Sequence, residues 1–224
     1  MRRAVIDVGT NSIKLLVADV AAGTVHPIWE ESEQTRLGEG FYDCHRLQTD
    51  AIERTARVVA RLAAQAKTSG AEFLRVIATS AVRDAVNRED LLGAVRHTAG
   101  LEIEVISGEE EADLAFAGVQ TDPTLRAKPL LLVDLGGGSM ELIVGHDTRQ
   151  DYRRSFALGT VRLLERFRPS DPPSPAQREK CRAWLKGFFG EQVERAGDSD
   201  WRYADLSLET KFLHRPCFGW RHKR

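Results

Sequence analysis

The chain has 224 residues, 42% of them hydrophobic and 29% charged, and a formal net charge of −1, the balance of an ordinary folded, water-soluble protein. That charge gives no basic field for nucleic acid or an anionic membrane, and the longest aliphatic run, residues 130–133, is far too short to span a bilayer. Cys44, Cys181 and Cys217 form no CxxC pair and no metal-ligand spacing, and Asp7 and Lys14 interrupt any leader-like apolar stretch, so a reducing, cytoplasmic setting is expected.

Residues 5–6 and 13–20 read as strands joined by the turn Gly9-Thr10-Asn11-Ser12, with a third strand over residues 24–30. Ile52, Ala56, Val59, Ala63 and Ala66 then recur at helical spacing, with Arg54, Arg57 and Arg61 facing water. Asp50 and Glu53 are the expected capping pair of this helix, and Gly70 its stop. A strand over Phe73–Ala78 follows, then a helix capped by Asn87 and ended by Gly100, a short strand over residues 103–106 and a helix over 109–119. The polar segment 121–128, with Pro123, is the expected hinge. Beyond it, strands over residues 130–134 and 140–145 flank the turn Gly136-Gly137-Gly138-Ser139. A strand over 152–157 leads through Gly159 into a helix ending near Arg168. A proline-rich connector precedes a final helix over residues 176–195, and after Arg195 no period is found.

Two of these hairpins repeat. DVGTNSIKLLVADV at residues 7–20 and DLGGGSMELIVGHD at 134–147 match without a gap at Asp7/Asp134, Gly9/Gly136, Ser12/Ser139, Leu15/Leu142, Leu16/Ile143 and Val17/Val144. The match argues for two similar folding units. Each turn has the make-up of a phosphate clamp: glycines allow close backbone approach, successive N–H groups form a concave anion site, and hydroxyls add donors. An Asp ending the preceding strand can bind Mg²⁺ or water. Two facing clamps would hold the two ends of one phosphate-rich ligand.

The two turns resemble the phosphate segments of the actin, sugar-kinase and heat-shock-chaperone superfamily. ATSAVRDA (residues 78–85), ISGEEEADLAFAGV (106–119) and LGTVRLLERF (158–167) narrow the resemblance to the exopolyphosphatase/guanosine pentaphosphate phosphatase family. It implies an α/β fold of ribonuclease H-like, actin-type duplicated domains, with mixed sheets and helices. Residues 1–124 would form the first domain, 125–195 a partial second domain and 196–224 a divergent tail. It also implies that Glu111 is the general base acting on water and that Arg83 contacts phosphate. From the residues themselves, Ser107 and Glu110 have capping-box spacing and Glu109 is a first-turn acid. Glu111 heads the uncharged row Leu114, Ala115 and Gly118, where partial desolvation would make it a better base. The phosphate contacts are Gly9, Thr10, Asn11, Ser12, Gly136, Gly137, Gly138 and Ser139. Asp134 and Glu141 are the candidate ligands of Mg²⁺, although Glu141 could equally be an outward strand residue. Arg149, Arg153, Arg154, Arg162, Arg166 and Arg168 form either a polyanion path or a solvated face.

Family members continue past the last helix with another strand and a GTSGT-type segment, whereas residues 196–224, with Trp201, Phe212, Phe218 and Trp220, depart from that pattern. An incomplete second domain would leave a bare sheet edge, which makes a homodimer an expected arrangement. The expected function is Mg²⁺-dependent hydrolysis of terminal phosphoanhydrides in polyphosphate or guanosine pentaphosphate, with no nucleic-acid or membrane partner. A non-catalytic phosphate-binding remnant is the alternative. A sugar or acetate kinase would need adenosine and acceptor sites that the motifs do not supply.

Overall fold

In the computed structural model, which describes residues 1–21 and 23–196, strands β1 (Arg2–Val8) and β2 (Ser12–Ala21) pair antiparallel. Ala4, Ile6 and Val8 lie opposite Val17, Leu15 and Ile13, and all six are buried, because alternate positions of a strand share a face. β3 (Thr24–Gln34) pairs with β2 and runs past its expected end. β4 (Phe73–Ala78) lies parallel to β1, and the two-residue β5 (Glu104–Val105) parallel to β4, giving the order β3-β2-β1-β4-β5.

Helices α1 (Phe41–Cys44), α2 (Thr49–Thr68), α3 (Ser80–Asp84) and α4 (Arg88–Ala99) belong to the same half of the chain. α2 buries Ile52, Thr55, Ala56, Val59, Leu62 and Ala66 in the main core, each large aliphatic contributing about 1.5–3 kcal/mol. Its expected acidic cap is corrected. Gln48 is the N-cap without a side-chain bond, and Asp50 and Glu53 pair instead with Arg54 and Arg57 one turn on, a competing use open to any acid at i with a base at i+4. Asn87 does precede α4, but its amide bonds both backbone groups of Leu47 rather than a helix N–H. Gly100 ends α4 at φ 65°, a left-handed conformation that favours glycine.

α5 (Gly108–Val119) leads to a second, antiparallel sheet of β6 (Leu130–Leu135), β7 (Met140–His146) and β8 (Arg149–Phe156), in that order. α6 (Thr160–Phe167) and α7 (Pro175–Ala196) follow. The duplication is present down to register. Asp7 pairs with Lys14 and Val8 with Ile13, while Asp134 pairs with Glu141 and Leu135 with Met140. Each turn closes on the same bond, Gly9 N–H to the Ser12 carbonyl at 3.1 Å and Gly136 N–H to the Ser139 carbonyl at 3.0 Å.

Met1–Glu165 is one compact unit, and a second begins at Arg166. α5 precedes the expected hinge yet packs on the sheet after it, with Ala112 and Phe116 against Ile143 and Leu132. In the second unit, Trp184 stacks on Phe188 at 5.2 Å and meets Phe167 edge-on at 5.8 Å. The expected divergent tail, apart from Ala196 at the end of α7, lies outside the described residues, as does Cys217. No helix among the described residues is long and apolar enough to cross a membrane.

Candidate active site

The start of α5 is built by its sequence. The Ser107 hydroxyl accepts from Glu110 N–H at 3.1 Å, and the Glu110 carboxylate accepts from Ser107 N–H at 2.8 Å. This reciprocal box satisfies two helix-end donors and leaves the next residue, Glu111, to point away. Glu111 accepts from Arg83 Nη1 at 3.1 Å, and that nitrogen also donates to the Ile106 carbonyl at 3.0 Å. With its side chain only 19% exposed, Glu111 is pushed up to about 7, first by burial and then by the charge of Glu141; Arg83 opposes the rise and Asp7 adds to it. The desolvation does not come from the row expected. Leu114 is 42% exposed, and the buried side of α5 is Ala112 and Phe116. Because α5 lies on the second sheet, its first turn meets Glu141 on β7.

Glu141 is 1% exposed, which rules out an outward strand position. Its carboxylate accepts from Ser155 Oγ at 2.7 Å. Burial raises its pKa, hydrogen bonds from Ser155 and Ser139 hold it down, and Asp134 pushes it up. Asp134 stands opposite Glu141 across β6 and β7. Asp7, at the matching end of β1, is pushed up to about 6 by burial, against the pull of Lys14, with Asp134 adding to the rise. Its Oδ1 is buried without a hydrogen-bond partner. Sequence marks Asp7 only as the repeat partner of Asp134, and that pairing is the signal that could have named it. Four carboxylates, Asp7, Glu111, Asp134 and Glu141, thus act on one another. Among the described residues, no three His, Cys, Asp or Glu side chains close around a cation. Mg²⁺ suits such a place because it keeps several waters and takes only one or two carboxylates. The orphaned Asp7 oxygen and the crowded negative charge fit it.

The two glycine turns meet directly. A Cβ on Gly138 would lie 2.5 Å from Ser80 Oγ and 2.7 Å from Thr10 Oγ1, and would collide with the Tyr42 hydroxyl. Gly137 faces the side chains of Thr10 and Asn11. The two turns are therefore packed against each other at Gly137 and Gly138. Their carbonyls are tied off behind them. Those of Thr10 and Asn11 accept from Gly38 and Arg36 at 2.8 and 2.9 Å, and those of Gly136 and Gly137 accept from Thr160 and Val161 at 3.0 and 2.8 Å. Each such bond neutralises an oxygen that would repel an anion. Asn11 also donates to Ser12 Oγ at 3.3 Å.

Open space lies beside the turns, in a cavity of about 540 Å³ lined by Arg83, Arg153, Arg154 and Arg162 and by hydroxyls that include Ser80, Ser139 and Ser155. Arg162 is held by the Gly138 carbonyl at 3.0 Å and Asp84 at 3.1 Å, and lies over the Tyr42 ring at 4.1 Å. Arg153 pairs with Asp113 at 2.7 Å. Of the six arginines in the basic stretch, three line the cavity. Arg149 pairs with Asp151, and Arg166 and Arg168 fall in the other unit. Ser155 and Tyr42 carry no motif, and sequence reasoning missed them; Ser80 stands inside the ATSAVRDA stretch, but only Arg83 of that stretch was given a role.

Comparison with known proteins bears on this arrangement. The model of the Ppx/GppA phosphatase family matches residues 16–201. Exopolyphosphatase 2 of Mycobacterium tuberculosis is 42% identical over 185 residues, covering 77% of this chain and 57% of that protein. A crystal structure of an exopolyphosphatase from Cytophaga hutchinsonii superposes with a TM-score of 0.78 at 29% identity, covering 88% of this chain and 62% of that one. The Aquifex aeolicus member of the Ppx/GppA family gives a TM-score of 0.68 at 31% identity, covering 85% and 62%. The chain spans less than two thirds of the length of each of these relatives.

Proposed function

Because the chain belongs to the Ppx/GppA phosphatase family, we propose that it is a phosphohydrolase that removes terminal phosphate from inorganic polyphosphate, with Glu111 as general base. The observation that carries this reading is a buried carboxylate, pushed up to about 7 and held by an arginine that also lines a cavity of arginines and hydroxyls. A base is most effective when its pKa lies near the working pH. Glu111 takes a proton from water, the water oxygen bonds to the terminal phosphorus, and the bridging P–O bond breaks toward the shortened chain. Orthophosphate is the second product. Arg83, Arg153, Arg154 and Arg162 bind and orient the phosphate oxygens, a task suited to planar guanidinium groups. The hydroxyls of Ser80 and Ser139 add donors.

Asp134 and Glu141, with Asp7 beside them, are the groups to hold Mg²⁺. Bound there, it would neutralise charge on the phosphates during transfer. The cavity lining favours a phosphate chain over guanosine pentaphosphate, because its one aromatic residue, Phe156, is buried and offers no open ring face to a base. The reading places the enzyme in a reducing cytoplasm. The edges of the second sheet, β6 and β8, are where a second copy of the chain would add.

A second reading is a non-catalytic phosphate binder, favoured by the packing of Gly138 on Thr10 and Ser80, which fills the space between the turns. Orthophosphate release from long-chain polyphosphate and from guanosine pentaphosphate with Mg²⁺, run beside calorimetric binding, separates the readings. Release from polyphosphate is expected. Binding without release favours the second reading, and the absence of both removes the two together.

A further inference from the structure

Glu141 is a fully buried carboxylate, and no arginine or lysine among the described residues forms an ion pair with it. What holds it is hydroxyl chemistry. Ser155 is its cross-strand partner on β8 and donates to Oε1 at 2.7 Å, and Ser139 likewise favours its charged form. On the other side, β6 sets Asp134 against it in register. Ser155 is itself held in place from above. Gly108, the first residue of α5, approaches so closely that a Cβ there would lie 2.5 Å from Ser155 Cβ and 2.6 Å from its Oγ. The hydroxyl therefore sits where β7, β8 and the start of the helix carrying Glu111 converge.

We propose that Ser155 is a positioning residue, whose hydroxyl fixes the Glu141 carboxylate beside Asp134 so that the pair forms a divalent-cation site before the cation arrives. The inference rests on the reading of Asp134 and Glu141 as cation ligands. A free carboxylate rotates about its terminal bonds, and a donor on one oxygen removes that freedom. Groups hydrogen-bonded to metal ligands set the ligand's orientation, and with it the affinity. The Gly108 contact gives Ser155 a second effect, since it sets how closely the first turn of α5 approaches β8, and so the separation of Glu111 from Glu141.

The test is Mn²⁺ binding, read by the electron paramagnetic resonance signal of free Mn²⁺, on the full chain without substrate. Ser155→Ala is expected to weaken Mn²⁺ binding about 10–100-fold, and to weaken it no further when Glu141→Gln is already present. Ser155→Cys keeps the volume with a weaker donor; it should fall between, and it stands in if the alanine variant does not fold. A purely structural role predicts a lower melting temperature with the Mn²⁺ dissociation constant unchanged, and that result overturns the proposal. An equal loss in the Glu141→Gln background overturns it as well. Wild-type protein that binds no Mn²⁺ removes the cation reading itself, and the role of Ser155 falls with it.

Discussion

Replacing Glu111 with glutamine keeps the side-chain shape and removes a charge that the fold holds at a cost. A rise from 4.5 to about 7 corresponds to about 3 kcal/mol between the two protonation states, as an order of magnitude. Below pH 4.5 the carboxyl is protonated in both folded and unfolded chains, so it does not affect their balance. Between 4.5 and 7 the unfolded chain gives up the proton first and the folded state loses stability; above about 7 the full penalty is present. Glutamine escapes it. The variant should therefore match wild type near pH 4 and exceed it by up to about 3 kcal/mol at pH 8, read from urea unfolding at the two pH values. Activity should move the other way. Wild-type phosphate release should rise with pH through about 7, and the variant should be slower by about 10²–10⁴, measured with malachite green on long-chain polyphosphate. A stability difference that ignores pH, or a variant that keeps the wild-type rate, would refute the reasoning.

Other substitutions test the surrounding structure. Gly138→Ala drives a methyl into Ser80, Thr10 and Tyr42 and should cost about 1–3 kcal/mol by overpacking, seen as a lower melting temperature. Gly187→Ala on α7, where a Cβ meets nothing, should instead gain about 0.4–1 kcal/mol. Arg162→Lys keeps the charge but gives up the fork between the Gly138 carbonyl and Asp84 and the stacking on Tyr42; a loss of about 1–3 kcal/mol is expected, and an unchanged melting temperature would count against that clasp. Ser107→Ala removes the helix cap, should cost about 0.5–2 kcal/mol and should speed amide exchange at Glu110.

What the sequence displays well is local. The repeat of β1–β2 in β6–β7 could be read because turn and register are written within fourteen residues, and the Ser107–Glu110 box because it spans four. Helix ends where a side chain has two partners within reach were harder, as with Asp50 and Glu53, which chose arginines over the backbone. α1 and α3 are too short to show a period. The surroundings of Glu111 were legible in consequence but not in cause. Its low exposure was expected from the row through Leu114, whereas the neighbours that matter, Glu141 and Asp7, lie on strands far away in the chain. Tyr42 and Ser155 reach the site only through tertiary packing, which no spacing encodes.

The placement of α5 divides the surroundings of Glu111 between two sheets. The helix leaves the first sheet at Ile106, yet Ala112 and Phe116 fasten it to the second, so Glu111 is carried on the sheet that holds Glu141 while Arg83 belongs to α3, after β4. The guanidinium that restrains the rise in the Glu111 pKa comes from α3, after the first sheet's β4, and the carboxylate that adds to it comes from β7 of the second. The ionisation of Glu111 therefore depends on residues from both sheets, and a substitution on either side would shift it.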